Sequence, residues 1–351
     1  MSPRAAVTRR LERYFAFEAL GTNWRTEILA GVTTFLTMAY IVFVNPSILR
    51  EAGVPFPAAM AATCLCAAFG SVLMGVYARY PVAMAPGMGI NAYFAYTVVK
   101  GMGLSWQTAL GTVFLSGVAF VLLAASGVRR LVLSAVPVEL HASVAAGIGL
   151  FLALIGLQNA GVIAAAPETM VKLGNLRSPN ALLAGFGLLL MCALMAWGVR
   201  AAMLIGILAT AAAAALCGLA RWEPHSLEWS QLTAAAGRLD VRSALDLGLL
   251  EIVFVFLFVI LFDNIGTLVG VAKKAGLMDT EQRIPRVERM LLTGASATLL
   301  SSLSGTSPAV CYIESAAGVS AGGRSGMTAI VTGLLFVPAL FLAPLVGMIP
   351  A

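Results

Sequence analysis

Two carboxylic acids stand where charge is most costly. Asp263 interrupts an apolar stretch, with Ile252 to Phe262 before it and Ile265 to Val271 after, and Glu314 lies in Gly305-Thr-Ser-Pro-Ala-Val-Cys-Tyr-Ile-Glu-Ser. Counting back from Lys273, a natural cytoplasmic flank, ten helical residues at about 1.5 Å each put Asp263 roughly 15 Å deep in a hydrocarbon core about 30 Å thick. A carboxylate at that depth costs several kcal/mol unless something compensates for it, so by default it marks a functional site. No lysine or arginine lies at comparable depth in the same or adjacent spans, so a structural ion pair lacks its partner. Two acids that can share or exchange protons are what proton coupling requires. Their oxygens can also accept N–H groups of a ligand.

Other residues gather around these acids in the sequence pattern. Thr267 is one helical turn beyond Asp263 on the same face, and Asn264 follows Asp263 directly. Tyr93, Phe94, Phe262 and Tyr312 flank the acids and the broken spans, where they suit stacking on a planar ligand and equally suit lipid or core packing. Glu251 and Asp246 fall near an interface and read as solvated. All five cysteines fall inside apolar runs and behave as small hydrophobes, and His141 and His225 are far apart in sequence, so neither a disulfide framework nor a metal site is indicated. No cofactor is expected beyond a coupling ion, H⁺.

Two segments are expected to break in mid-membrane. Pro86, Gly87 and Gly89 disfavour a continuous helix over 81–99, because proline removes a donor and glycine weakens a helix interior. The first half then reads as extended, with Asn91 capping a half-helix from Ala92 to about Val99. Pro308 plays the same part in the second segment, where Glu314 and Ser315 fall near the start of a half-helix that ends around Gly322-Gly323. Unpaired N–H groups at two such half-helix starts favour the acceptor atoms of a ligand, and irregular backbone at this depth must line a cavity or be buried in protein. Gly89 belongs to the same candidate site.

The elements that hold these residues follow from composition. With 351 residues, 60% of them hydrophobic and 11% charged, and a mean hydropathy of +0.93, the chain lies far outside soluble globular composition. Apolar runs recur at 28–49, 58–77, 82–99, 106–126, 134–157, 180–198, 200–220, 246–272, 289–304, 308–322 and 326–349, about eleven spans. With an inner N-terminus and alternating spans, 15 of the 22 Lys and Arg residues fall on the inner side, among them Arg79, Arg129, Arg130, Lys273, Arg283 and Arg324. That asymmetry supports a cytoplasmic N-terminus and explains the net charge of +6 without a nucleic-acid partner.

Residues 1–25 form a basic cytoplasmic lead-in without an apolar core, so no cleavable signal is read there. Residues 26–220 form a first repeat of seven spans, four in a core and three in a gate. Residues 221–243, with Trp222 and Trp229, read as an extracytoplasmic connector, and 244–351 as a second, incomplete repeat. The two sides share an order of features. Asn45 precedes Asn91 by 46 residues on one side, and Asp263 precedes Glu314 by 51 on the other. Corresponding Gly/Pro-interrupted spans in two halves point to a transporter built from repeats, and an odd number of spans per repeat makes the second copy inverted.

These residues also resemble a known family. Leu20-Gly-Thr-Asn-Trp-Arg-Thr-Glu-Ile-Leu-Ala-Gly-Val-Thr-Thr-Phe-Leu-Thr-Met-Ala-Tyr-Ile-Val-Phe-Val-Asn-Pro is similar to the start of AzgA-like purine permeases, a branch of the nucleobase/cation symporters. Pro86-Gly-Met-Gly-Ile-Asn-Ala-Tyr-Phe-Ala-Tyr, Leu261-Phe-Asp-Asn-Ile-Gly-Thr-Leu and Tyr312-Ile-Glu-Ser-Ala-Ala-Gly resemble its later signatures. The resemblance implies an all-α polytopic membrane protein of the UraA-like type, with fourteen spans in two inverted repeats of seven and short strands in the third and tenth spans. It implies substrate between core and gate, with Asp263 and Glu314 holding the base and coupling it to protons, and Thr267 facing the site. Members of that family often carry an aspartate near position 294, where this chain has Gly294. They also usually continue through three more spans that complete the gate.

The expected function is therefore import of hypoxanthine, guanine or adenine across the cytoplasmic (inner) membrane by proton symport. The expected partners are the purine base and the lipid bilayer, with a homodimer compatible. An anion carrier, or a uracil or xanthine carrier, on the same architecture is the alternative. An intramembrane aspartyl protease would need two aspartates, one in a Gly-x-Gly-Asp setting, and this chain offers Asp263 and Glu314 without that motif.

Overall fold

The computed structural model describes residues 3–126, 138–166, 169–219, 229–278 and 284–342. The His141 side chain, His225, Trp222, Arg129, Arg130, Arg221, Arg283 and the end of the last apolar run lie outside the described residues.

The basic lead-in forms helix α1 (Pro3–Tyr14) and a single turn, α2 (Phe17–Leu20). The first apolar run is a pair of helices, α3 (Trp24–Met38) and α4 (Ile41–Glu51), with Asn23 accepting from Thr26 N at 3.0 Å as the N-cap of α3. Hydroxyls compete for backbone carbonyls just before the break, as Thr33 and Thr37 bond back to Leu29 O and Thr34 O. Pro46 removes a further donor within α4.

The second run is α5 (Phe56–Leu73), which widens into a π turn over Met74–Ala78. Strand β1 (Met84–Pro86) and α6 (Met88–Ala92), continued by a π-helical stretch over Tyr93–Gly101, make the third, and α7 (Trp106–Ala125) the fourth. Helix α8 (Val138–Asn159) leads into a hairpin of β2 (Ile163–Ala166) and β3 (Met170–Leu173), then α9 (Pro179–Ala196) and α10 (Ala202–Leu216). The connector carries two short helices, α11 (Trp229–Leu232) and α12 (Val241–Ala244).

Beyond it come α13 (Leu250–Ala275), α14 (Val287–Ser304), β4 (Ala309–Cys311), α15 (Ser315–Ser320) and α16 (Gly326–Ala339). Each of the eleven apolar runs thus holds a helix or a strand–helix unit. Among the described residues, five helical segments are long and apolar enough to cross a membrane by length and composition: residues 24–51, 56–78, 106–125, 179–196 and 250–275.

Small residues let the helices approach closely. Gly75, in the π turn after α5, and Gly326 of α16 each face the other's carbonyl so tightly that a Cβ on either would overlap it. Such contacts drive association where lipid removes the hydrophobic contrast between helix and surroundings. Glu27, fully buried in α3, accepts from Ser325 N at 3.1 Å, Thr328 N at 3.2 Å and Thr328 Oγ1 at 2.6 Å, so a carboxylate satisfies the otherwise unpaired start of α16. One large apolar core then runs through α4, α5, α7, α13 and the third span, and a second gathers around Met74, Met84, Leu268 and Met290.

Candidate substrate site

β1 and β4 form a two-stranded antiparallel sheet with Met84 opposite Cys311, Ala85 opposite Val310 and Pro86 opposite Ala309. The end of each strand therefore faces the start of the other, and α6 and α15 leave from opposite ends of the pair. Expectation and structure agree on the two broken spans and on their short strands.

A two-stranded sheet buried in apolar surroundings leaves its outer backbone edges unpaired, and every such group needs a partner. Side chains from four neighbours supply them. Ser71 of α5 both receives Met84 N at 2.9 Å and donates to Met84 O at 3.0 Å. Asn264 Oδ1 accepts from Cys311 N at 3.0 Å, and Thr298 of α14 donates to Ala309 O at 3.1 Å. Ser315 Oγ accepts from Ala83 N at 2.9 Å. Asn264 spends its other amide group on Ile260 O at 2.8 Å, so this residue fastens α13 to β4.

With Asn264 turned to the strand, Asp263 faces the turn between β1 and α6. A Cβ built on Gly87 would lie 2.8 Å from Val310 Cγ2, so the close approach of the turn to β4 favours glycine there, while Asp263 Oδ2 would stand at an ordinary contact distance of 3.7 Å. The first backbone bond of α6 runs from Asn91 N to Gly87 O at 2.8 Å, which leaves the N–H groups of Met88, Gly89 and Ile90 ahead of the helical ladder.

Glu314 stands immediately before α15, within electrostatic reach of Asp263. Tyr40, at the α3–α4 break, donates its hydroxyl to Glu314 Oε1 at 2.8 Å. Tyr312 donates to Pro86 O at 2.5 Å and lies close to Asp263, Glu314 and Tyr40. The cluster therefore holds two acids and two phenols around one short sheet. Thr267 is buried one turn along α13 from Asp263.

Three expectations change. Asn91 does not cap a half-helix starting at Ala92: α6 begins at Met88, and Asn91 sits in its body, donating from Nδ2 to Asn45 Oδ1 at 2.6 Å. Asn45 donates in turn to Thr63 and Thr306 at 2.8 and 2.9 Å, so the Asn91–Asn45 pair ties the third span to the first, to the second and to the loop before β4. The N–H groups at the start of α15 are already bonded in three successive tight turns, Ser315 N to Tyr312 O, Ala316 N to Ile313 O and Ala317 N to Glu314 O. The aromatic residues also separate: Phe94 is wholly buried in the core, Tyr93 packs edge-on against Phe256, and Phe262 lies on Phe258, while Tyr312 remains at the acids.

Sequence reading missed Tyr40, Ser71 and Thr298. Each looks like one more small or aromatic residue in an apolar run, and only the pairing of remote spans gives it a partner.

The model of a family described as a permease family matches residues 25–351. Among the most similar curated relatives, a putative permease of Methanocaldococcus jannaschii is 46% identical, with 98% of this chain and 79% of that one aligned. The adenine permease AdeP of Escherichia coli is 44% identical over 97% of this chain and 76% of its own. The guanine/hypoxanthine permease PbuG of Bacillus subtilis is 44% identical over 97% and 80%. Among solved structures, the transmembrane domain of the cyanobacterium bicarbonate transporter BicA superposes with a TM-score of 0.66 at 14% identity, covering 93% of this chain and 85% of that one. The murine anion transporter Slc26a9 in its inward-facing state gives 0.63 at 11%, over 92% and 57%. These two likenesses are of fold. The match across residues 25–351 and the shared identity place this chain in the permease family, as an integral membrane transporter and not an enzyme.

Proposed function

We propose that the chain imports purine nucleobases by proton symport. The observation that carries this reading is the convergence of Asp263, at Gly87, and Glu314, at the head of α15, on the β1–β4 sheet. A purine edge offers N–H donors to carboxylates and a carbonyl or ring nitrogen to the N–H groups ahead of α6, so the donor and acceptor sets are complementary. The names of the relatives, adenine and guanine/hypoxanthine permeases, support the same substrate class.

In this reading Asp263 and Glu314 grip the base, and a proton carried on the pair enters with it. The spans around the sheet move as a core against a gate of α8 to α10. Charge asymmetry supports a cytoplasmic N-terminus in the cytoplasmic membrane, and a homodimer is the proposed assembly. The test is uptake of radiolabelled hypoxanthine into proteoliposomes with and without an inward proton gradient. Uptake stimulated by the gradient and lost in Glu314→Gln supports the proposal. Unchanged uptake and pH dependence in that variant would sink the coupling role.

A further inference from the structure

We propose that the end of the second span, together with the start of α14, is a headgroup site for an anionic phospholipid. Three arginines gather on the segment Tyr77-Ala78-Arg79-Tyr80, where the π turn after α5 ends. The Arg289 guanidinium lies over the Tyr77 ring, 5.7 Å from its centroid, Arg286 over Tyr80 at 5.3 Å, and Arg79 over Tyr14 of α1 at 3.8 Å. Hydrogen bonds fix two of the rings, since Tyr80 donates to Pro285 O and Tyr14 to Val76 O, both at 2.7 Å. Among the described residues, none of the three arginines has a carboxylate within ion-pair distance. Arg79 and Arg286 also hold φ of +61° and +56°, the left-handed region that a side chain other than glycine enters only at some strain. Both strained positions of the cluster carry a guanidinium.

The arrangement suits a phosphate. A guanidinium stacked on a ring uses its face, and its in-plane N–H groups remain for phosphate oxygens. Arg286 and Arg289 are exposed and can make that contact, while half-buried Arg79 adds charge. The surface below the cations is apolar. Leu65, Phe69 and Val76 are exposed on one side of α5 and its π turn, and exposed Tyr77 joins them to Arg289. Twelve residues of helix make this track roughly 18 Å long. Cations above, a tyrosine at the boundary and an apolar track beneath fit the headgroup and an acyl chain of one molecule, whereas a free phosphate would use the cations alone. The inference rests on the membrane placement of the spans and is independent of the substrate carried.

Titration of the purified, delipidated chain in detergent tests it, with phosphatidylglycerol and phosphatidylcholine that carry the same acyl chains and the same fluorophore. Phosphatidylglycerol is expected to bind at least about tenfold more tightly, and the double variant Arg286→Gln/Arg289→Gln to lose about tenfold of that preference. Lys273→Gln/Lys274→Gln removes the same charge from the end of α13, where both lysines are exposed, and should leave the preference within about twofold. Equal binding of the two lipids overturns the proposal. So does an equal loss in both double variants, which would make the preference a property of net charge. Displacement of the labelled lipid by millimolar glycerol phosphate would assign the cations to a soluble anion and overturn the lipid. Should the arginine variant fail to fold, Tyr77→Leu, which keeps both charges and removes the ring beneath Arg289, is read in its place: a reduced preference supports the site and an unchanged one overturns it.

Discussion

Asn264 Oδ1 accepts the backbone N–H of Cys311 at 3.0 Å, so the residue next to Asp263 is fastened to the strand that leads into Glu314. One amide thereby sets the spacing of the two acids. Asn264→Ala leaves a buried N–H without a partner, a penalty of about 1–3 kcal/mol. The expected outcome is a lowered thermal midpoint in detergent together with weakened purine binding. A variant as stable as the parent would show that Cys311 N finds another acceptor.

Gly87 is the second spacing device. A methyl group there meets Val310 Cγ2 at 2.8 Å and stands 3.7 Å from Asp263 Oδ2. The Val310 side chain or the sheet must shift beside the carboxylate, at about 1–3 kcal/mol for overpacking. Gly87→Ala should fold, reach the membrane and bind hypoxanthine at least about tenfold more weakly, since 1.4 kcal/mol is a factor of ten. Binding at parental strength in a calorimetric titration would remove Gly87 from the site.

How much of this was legible in the sequence depended on how far away each residue's partner lay. Proline and glycine disrupt a helix locally, so Pro86, Gly87 and Pro308 announced both broken spans, and the apolar runs announced the helices and strand–helix units that the described residues form in them. Asp263 and Glu314 stood out because charge in an apolar run is costly wherever it folds. Asn91 was misread as a cap because its true partner, Asn45, is 46 residues away and the local pattern suits a cap equally well. The hairpin of β2 and β3 escaped notice because Ala164, Ala165 and Ala166 carry no strand preference. Tyr40 was hidden for a third reason: an aromatic residue in a membrane span has an ordinary explanation in packing, and its hydroxyl acquires meaning only opposite Glu314.

Glu27 was likewise unremarkable as an acid near the inner interface, yet it is fully buried and receives Thr22, Arg324, Ser325 and Thr328. Removing it strands several donors at once. Glu27→Ala is expected to cost at least about 3 kcal/mol, the upper end for one hydrogen bond to a charged group. Glu27→Gln, which keeps one acceptor oxygen, should fall between the two. The measurement is the thermal midpoint of each variant, and equal midpoints for parent and Glu27→Ala would contradict the capping of α16 by this residue.

Asp240 gives a pH signature outside the membrane spans. The Ser243 hydroxyl beside it, with the Ser243 backbone N–H at 3.0 Å, holds its carboxyl below the ordinary value of 3.8. The charged form is therefore favoured in the folded chain. For a depressed carboxyl the contribution to stability is present above the unfolded pKa and is lost as pH falls through the folded one. The stabilised group also starts α12, whose preceding backbone packs on α7: Asp240 N donates to Gln107 O at 2.9 Å, and Gly111 leaves room for the Asp240 carbonyl. Asp240→Asn retains an acceptor for Ser243 N and removes the titration. Stability at neutral pH should change little, since the site is exposed, while the decline in thermal midpoint between about pH 5 and pH 3 should become shallower than in the parent. Parallel acid limbs for the two proteins would mean that the Asp240 carboxyl has the same proton affinity folded and unfolded.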